Sequence, residues 1–124
     1  MTNIGETMNG IQEINASQLS DMIGNGAESF RLIDVRSANE MAQGMLPGAE
    51  AMPMHLVPLR LEALRQPGKI VFYCRTGARS AQVCAFLQQQ GVDHAINLQG
   101  GIVDWYRQGY PIESPEAGVV AAAR

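Results

Sequence analysis

Cys74 ends an apolar run, Val71-Phe72-Tyr73, and precedes Arg75-Thr76-Gly77-Ala78-Arg79-Ser80, after which an amphipathic helical pattern begins. A cysteine between a buried strand and a helix N-terminus sits where the helix dipole and nearby cations stabilise a thiolate. Arg75 and Arg79 supply the cations. The peptide N–H groups of such a loop can curl around an anion. Gly77 allows the positive φ and close backbone approach that this requires. The pattern points to covalent chemistry at Cys74, with an anion cradled by the amides of Arg75 through Ser80. No general base stands beside Cys74, and none is required of an intrinsically good nucleophile.

Other reactive residues read as structural. Cys84 shares a helical face with Ala81 and Leu87 and reads as a small core residue. The two cysteines match no zinc spacing, and His55 and His94 are isolated, so neither a metal nor a cofactor is expected. Trp105 reads as core. Asp34 ends an apolar strand and can accept from loop amides, while Arg36 and Glu40, four residues apart, are expected to pair.

The elements that hold the loop follow from periodicity and punctuation. Residues 1–10 read as a flexible leader, 11–112 as one domain and 113–124 as a tail. Strands are expected over Ile11 to Ile14, Phe30 to Val35, Glu50 to Met52, Lys69 to Tyr73 and Ala95 to Leu98. Asn15-Ala16-Ser17-Gln18 and Ser37-Ala38-Asn39-Glu40 have capping-box spacing and open two helices. The first buries Leu19, Met22 and Ile23. Further helices are expected from Val57 or Pro58 to Arg65, from Ser80 to Gln90 and from Ile102 to Gln108, with Gly91 and Gly109 as stops. Alternating strands and helices make an α/β fold with a mainly parallel central sheet and helices on both faces. Ligands bind such sheets at the carboxyl ends of the strands, where Cys74 lies.

The chain has 124 residues, enough for one core, with 46% hydrophobic and 17% charged residues. A net charge of −3 argues against nucleic acid as a partner. No apolar run is long enough for a bilayer, so no membrane partner is expected. The N-terminus lacks the regions of a signal peptide, so a cytoplasmic location is expected.

Four blocks in order give the chain a family resemblance. They are Leu32-Ile33-Asp34-Val35-Arg36 with Glu40; Gly44-Met45-Leu46-Pro47-Gly48-Ala49 followed by Met52-Pro53; Cys74-Arg75-Thr76-Gly77-Ala78-Arg79-Ser80; and Asn97-Leu98-Gln99-Gly100-Gly101-Ile102 with Trp105, Gly109 and Pro111. Over about residues 11–112 the chain resembles the single-domain rhodanese family. One departure is Met45, where many members carry histidine. The resemblance implies a rhodanese-like fold and a sulfurtransferase. Cys74 would take a sulfane sulfur from thiosulfate or a similar donor as a persulfide. A thiophilic acceptor (cyanide, a thiol or a partner protein) would then remove it. Arg75, Thr76, Gly77, Ala78, Arg79 and Ser80 would bind the donor and the sulfur.

Two other readings stay open at this level. Phosphatases and arsenate reductases of related fold also place a cysteine loop before a helix, but with five residues between cysteine and arginine. Here Arg75, Thr76, Gly77 and Ala78 separate Cys74 from Arg79. A persulfide carrier or binding module for a dedicated protein partner is the other. The core reading of Cys84 predicts that Cys84→Ala retains sulfur transfer and loses on the order of a few kcal/mol of stability at most. Loss of turnover in a folded variant would instead mark a resolving thiol.

Overall fold

Alternation of apolar residues with two kinds of helix start builds the following order. The strands and helices are β1 (Gly5–Glu6), β2 (Gln12–Ile14), α1 (Ala16–Gly24), β3 (Phe30–Asp34), α2 (Ala38–Met41) and β4 (Glu50–Ala51). After a 3₁₀-helix, Met54–Arg60, come α3 (Leu61–Leu64), β5 (Lys69–Tyr73), α4 (Ala78–Gln89), β6 (Ala95–Leu98) and α5 (Gly101–Arg107). The computed structural model describes residues 5–6, 10–26 and 29–114. The sheet order is β1-β2-β6-β5-β3-β4, with β1 antiparallel and the other five strands parallel. Among the described residues no helix is long and apolar enough to cross a membrane.

β5 lies at the centre, between β3 and β6, and its residues divide between the two faces. Ile70 and Phe72 join Val83, Cys84 and Leu87 of α4 and Val57 and Leu64 below them. Val71 and Tyr73 join Ala16 and Leu19 of α1 and Trp105 of α5. Each face of the sheet thus has its own core, as a parallel sheet requires. Both capping boxes form: Asn15 Oδ1 accepts from the Gln18 amide at 2.8 Å, and Ser37 Oγ from the Glu40 amide at 3.2 Å.

Several expectations change. The leader expected over 1–10 contributes β1, which pairs with β2; its remaining residues up to 9 lie outside the described residues. Glu113, in the expected tail, bridges to Met45; residues 115–124 of that tail lie outside the described residues. Ile23 is 38% exposed, because α1 packs through its first turns, where Ala16 and Leu19 are fully buried. The helix expected from Val57 or Pro58 begins at Met54 and is 3₁₀ until Arg60. Pro58 within it has no N–H to give an α-helical bond. Glu50 to Met52 pairs only as far as Ala51, and α4 starts at Ala78 rather than Ser80.

Arg36 does not pair with Glu40. It turns back on Asp34, with Nη2 2.7 Å from Oδ2 and Nε 3.0 Å from Oδ1. Its Nη2 also donates to the Gly44 carbonyl at 2.6 Å. Asp34 is fully buried, and its Oδ1 accepts from the Arg36 amide as well, so strand end, turn and pair form one unit. Arg36→Ala leaves the Asp34 carboxylate buried without its partner and should cost about 3–5 kcal/mol, read as a lower urea midpoint. A loss under about 1 kcal/mol would mean that the pair does not hold the turn after β3.

Candidate active site

β5 delivers Cys74 to the carboxyl end of the central strand, and the chain must then reverse into α4. Gly77 makes that reversal with φ 107°, as the N-cap residue of α4. A side chain there would be strained, and a Cβ would sit 3.3 Å from the Gly100 nitrogen. The turn folds the backbone round the sulfur. Gly77 N lies 3.1 Å from Cys74 Sγ, Ser80 N 3.4 Å and Ser80 Oγ 3.4 Å. The residue is 1% exposed, beneath exposed Arg75, Thr76 and Ala78. Burial by itself pushes the Cys74 thiol up. Hydrogen-bond donors facing the sulfur from Ser80, Gly77 and Thr76 outweigh it and bring the thiol below its ordinary value. Cys84 has no such donors among the described residues, and burial followed by the nearby Glu13 charge pushes it up to about 12.

With its N–H groups turned inward, the loop sends its carbonyls outward to α5. Ile102 N donates to the Cys74 carbonyl at 3.0 Å and Val103 N to the Arg75 carbonyl at 3.1 Å. This contact is possible only because residue 101 is glycine. Its φ is 60°, and a Cβ there would fall 2.6 Å from the Cys74 carbonyl oxygen.

The charges are arranged differently from the sequence expectation. Arg79, expected to attract an anionic donor, is paired with Glu40 through Nη1 to Oε1 at 2.7 Å and Nη2 to Oε2 at 2.9 Å. That pair explains an arginine at a helix N-terminus, where the dipole disfavours it. Glu40 Oε1 also accepts from the Ser37 amide at 3.0 Å, so one carboxylate closes α2 and holds α4. Arg79 holds Glu40 down at about 2, first through its hydrogen bond. Arg75 is exposed and is in no ion pair among the described residues. Arg79 thus has a carboxylate partner, and Arg75 has none among the described residues. Tyr73 sits below, its phenol pushed up by burial and by Asp34, and so stays protonated.

Two residues were missed. Asn97 is 1% exposed; its Oδ1 lies 2.5 Å from Ser80 Oγ, and its Nδ2 donates to Glu13 Oε2 at 2.8 Å and to the Gly77 carbonyl at 3.3 Å. Glu13 and Asn97 are cross-strand partners on β2 and β6. The signal was present. β6 alternates, with Ile96 and Leu98 on the α1/α5 side and Ala95 on the α4 side, so Asn97 is a polar residue pointed at α4 where a hydrophobe is expected.

A family model for the Rhodanese-like domain matches residues 15–108. The chain belongs to the rhodanese family. A sulfurtransferase of Allochromatium vinosum is 45% identical to it over 106 residues, which cover 86% of this chain and 98% of that one. Bacillus subtilis (strain 168) YtwF is 39% identical over 95 residues, 77% of this chain and 90% of that one. The rhodanese fold also appears in the crystal structure of SSP1007 from Staphylococcus saprophyticus, at a TM-score of 0.72 and 35% identity, covering 82% of this chain and 97% of that one.

In this rhodanese the arrangement keeps a buried cysteine ionisable and turns backbone N–H groups toward its sulfur. The Glu40–Arg79 pair fixes the far side of the cradle. Because Glu40 titrates lower in the folded state, about 2 against an ordinary 4.5, its stabilisation is complete above pH 4.5 and disappears as the pH falls toward about 2. Wild type should therefore melt above Glu40→Gln near neutral pH, with the gap closing across that acid range. A constant gap in melting temperature would show that Glu40→Gln acts through the α2 cap rather than through charge.

Proposed function

We propose that this protein is a sulfurtransferase that carries a sulfane sulfur on Cys74. The observation that supports this most directly is the set of backbone donors on its sulfur, Gly77 N at 3.1 Å and Ser80 N at 3.4 Å. The Cys74 thiolate attacks the outer sulfur of thiosulfate or a similar donor. The donor S–S bond breaks and sulfite leaves with the bonding pair. The product is a Cys74 persulfide whose outer sulfur carries the negative charge. Amides of the Arg75–Ser80 loop and the N-terminus of α4, a helix of twelve residues, would hold that charge. A thiophilic acceptor (cyanide, a thiol or a partner protein) attacks the outer sulfur, and Cys74 leaves as the thiolate. Two half-reactions through one covalent intermediate give ping-pong kinetics.

The loop favours this reading over phosphoryl transfer. Four residues between Cys74 and Arg79 make a short cradle, and Arg79 is engaged by Glu40 at 2.7 Å rather than free to clamp a tetrahedral oxyanion. Intact-protein mass after incubation with thiosulfate tests it. Wild type should gain one sulfur atom, lose it to cyanide, and Cys74→Ser should gain none. A cyanide-labile gain that survives in Cys74→Ser would end the assignment.

A further inference from the structure

Ser80 Oγ has two neighbours, Asn97 Oδ1 at 2.5 Å and Cys74 Sγ at 3.4 Å. A serine hydroxyl has one hydrogen to donate. The orientation of the Asn97 carboxamide is forced by its other contacts. Its nitrogen faces Glu13 Oε2 at 2.8 Å and the Gly77 carbonyl at 3.3 Å, both acceptors. The oxygen therefore faces Ser80, and a carboxamide oxygen accepts only. Two oxygens at 2.5 Å without a hydrogen between them repel, so the Ser80 hydrogen lies on the line to Asn97. Ser80 is 0% exposed and Asn97 1%, which closes the pair off from solvent.

We propose that Asn97, oriented by Glu13, is a positioning residue that takes the Ser80 hydrogen away from Cys74, so that Ser80 turns a lone pair to the sulfur and the thiolate is held by backbone amides alone. In the thiol state the Cys74 S–H can donate to Ser80 Oγ, and the chain of donors runs unbroken to Asn97. On ionisation that donor is lost and an oxygen lone pair faces the sulfur charge. When the outer sulfur is attached, the charge moves onto it and Sγ becomes a neutral sulfur bonded to two atoms. The network thus disfavours the empty thiolate relative to both the thiol and the loaded state. A thiolate of higher basicity is the stronger nucleophile. Only this catalytic meaning rests on the sulfur-carrier reading; the hydrogen-bond direction does not.

The charged groups around the thiol are Arg79 of α4 with its partner Glu40 of α2, Arg75 of the loop, Glu13 of β2 and the Asp34–Arg36 pair at the end of β3. None of these is altered in the test. The rate of Cys74 alkylation by iodoacetamide is followed against pH, and peptide mass assigns it to Cys74, in wild type, Ser80→Ala, Asn97→Ala and the double variant. Asn97→Ala frees the Ser80 hydrogen for the sulfur, and the midpoint should fall by roughly one pH unit, about 1.4 kcal/mol. Ser80→Ala removes only the opposing lone pair, so its midpoint should not rise. The fall caused by Asn97→Ala should vanish in the Ser80→Ala background. A rise in Ser80→Ala overturns the proposal. So does a rise or no change in Asn97→Ala, because a merely loosened loop gives up amide bonds to the sulfur. Ser80→Ala decides alone if Asn97→Ala does not fold. The thiosulfate mass gain is a separate readout; its failure removes the sulfur-carrier reading and leaves the titration result standing.

Discussion

The Cys74–Ser80 turn points its N–H groups at a buried sulfur, and a backbone that does this must place its carbonyls elsewhere. Those carbonyls govern the surrounding structure. The Cys74 and Arg75 oxygens accept from Ile102 and Val103 at the start of α5, and the Gly77 oxygen accepts from Ala81 and from the Asn97 side chain. Buried backbone groups need partners, so each contact is obligatory rather than decorative. The contacts in turn require glycine at 77 and 101, where positive φ and close approach coincide. α5 is thereby tied to the loop, and Trp105 of α5 is anchored through Nε1 to the Pro111 carbonyl at 2.7 Å. One side of the sheet is built around the needs of one thiol on the other.

Charge is kept local. Asp34 is paired with Arg36 below the loop and Glu40 with Arg79 beside it. The first pair is buried and fixes the turn after β3. The second is about one-third exposed, with side-chain exposures of 38% and 29%, and fixes α2 against α4. Neither leaves an uncompensated charge next to Cys74. What faces the sulfur is a set of amides whose direction is set by covalent geometry, with Arg75 exposed on the same loop. Amide dipoles fixed in this way cost no reorganisation when charge develops at the sulfur.

Much of this was legible in the chain. Capping boxes at Asn15 and Ser37, the stop at Gly91 and the strand before Cys74 depend on neighbours within a few residues, and local rules read them correctly. Where local reading failed, a distant partner intervened. Arg36 and Glu40 have the spacing of a helical pair, yet Arg36 precedes α2 and turns back to Asp34, while Glu40 meets Arg79 from a later helix. Gly5–Glu6 and Glu113 looked like parts of leader and tail because the partners that order their backbones, β2 and Met45, are supplied only by the fold.

The sequence by itself determined the strand–loop–helix unit that carries Cys74 and the α/β class, because both follow from residue type and spacing along the chain. Only the tertiary structure decided which cation is engaged, how α5 closes the loop and that Asn97 reaches Ser80 with Glu13 behind it. Those depend on registers between strands far apart in the chain: Glu13 faces Asn97 across β2 and β6, although 84 positions separate them along the backbone. Hydrogen bonds act over about 3 Å and carry no mark in the sequence until the sheet has aligned the groups that make them.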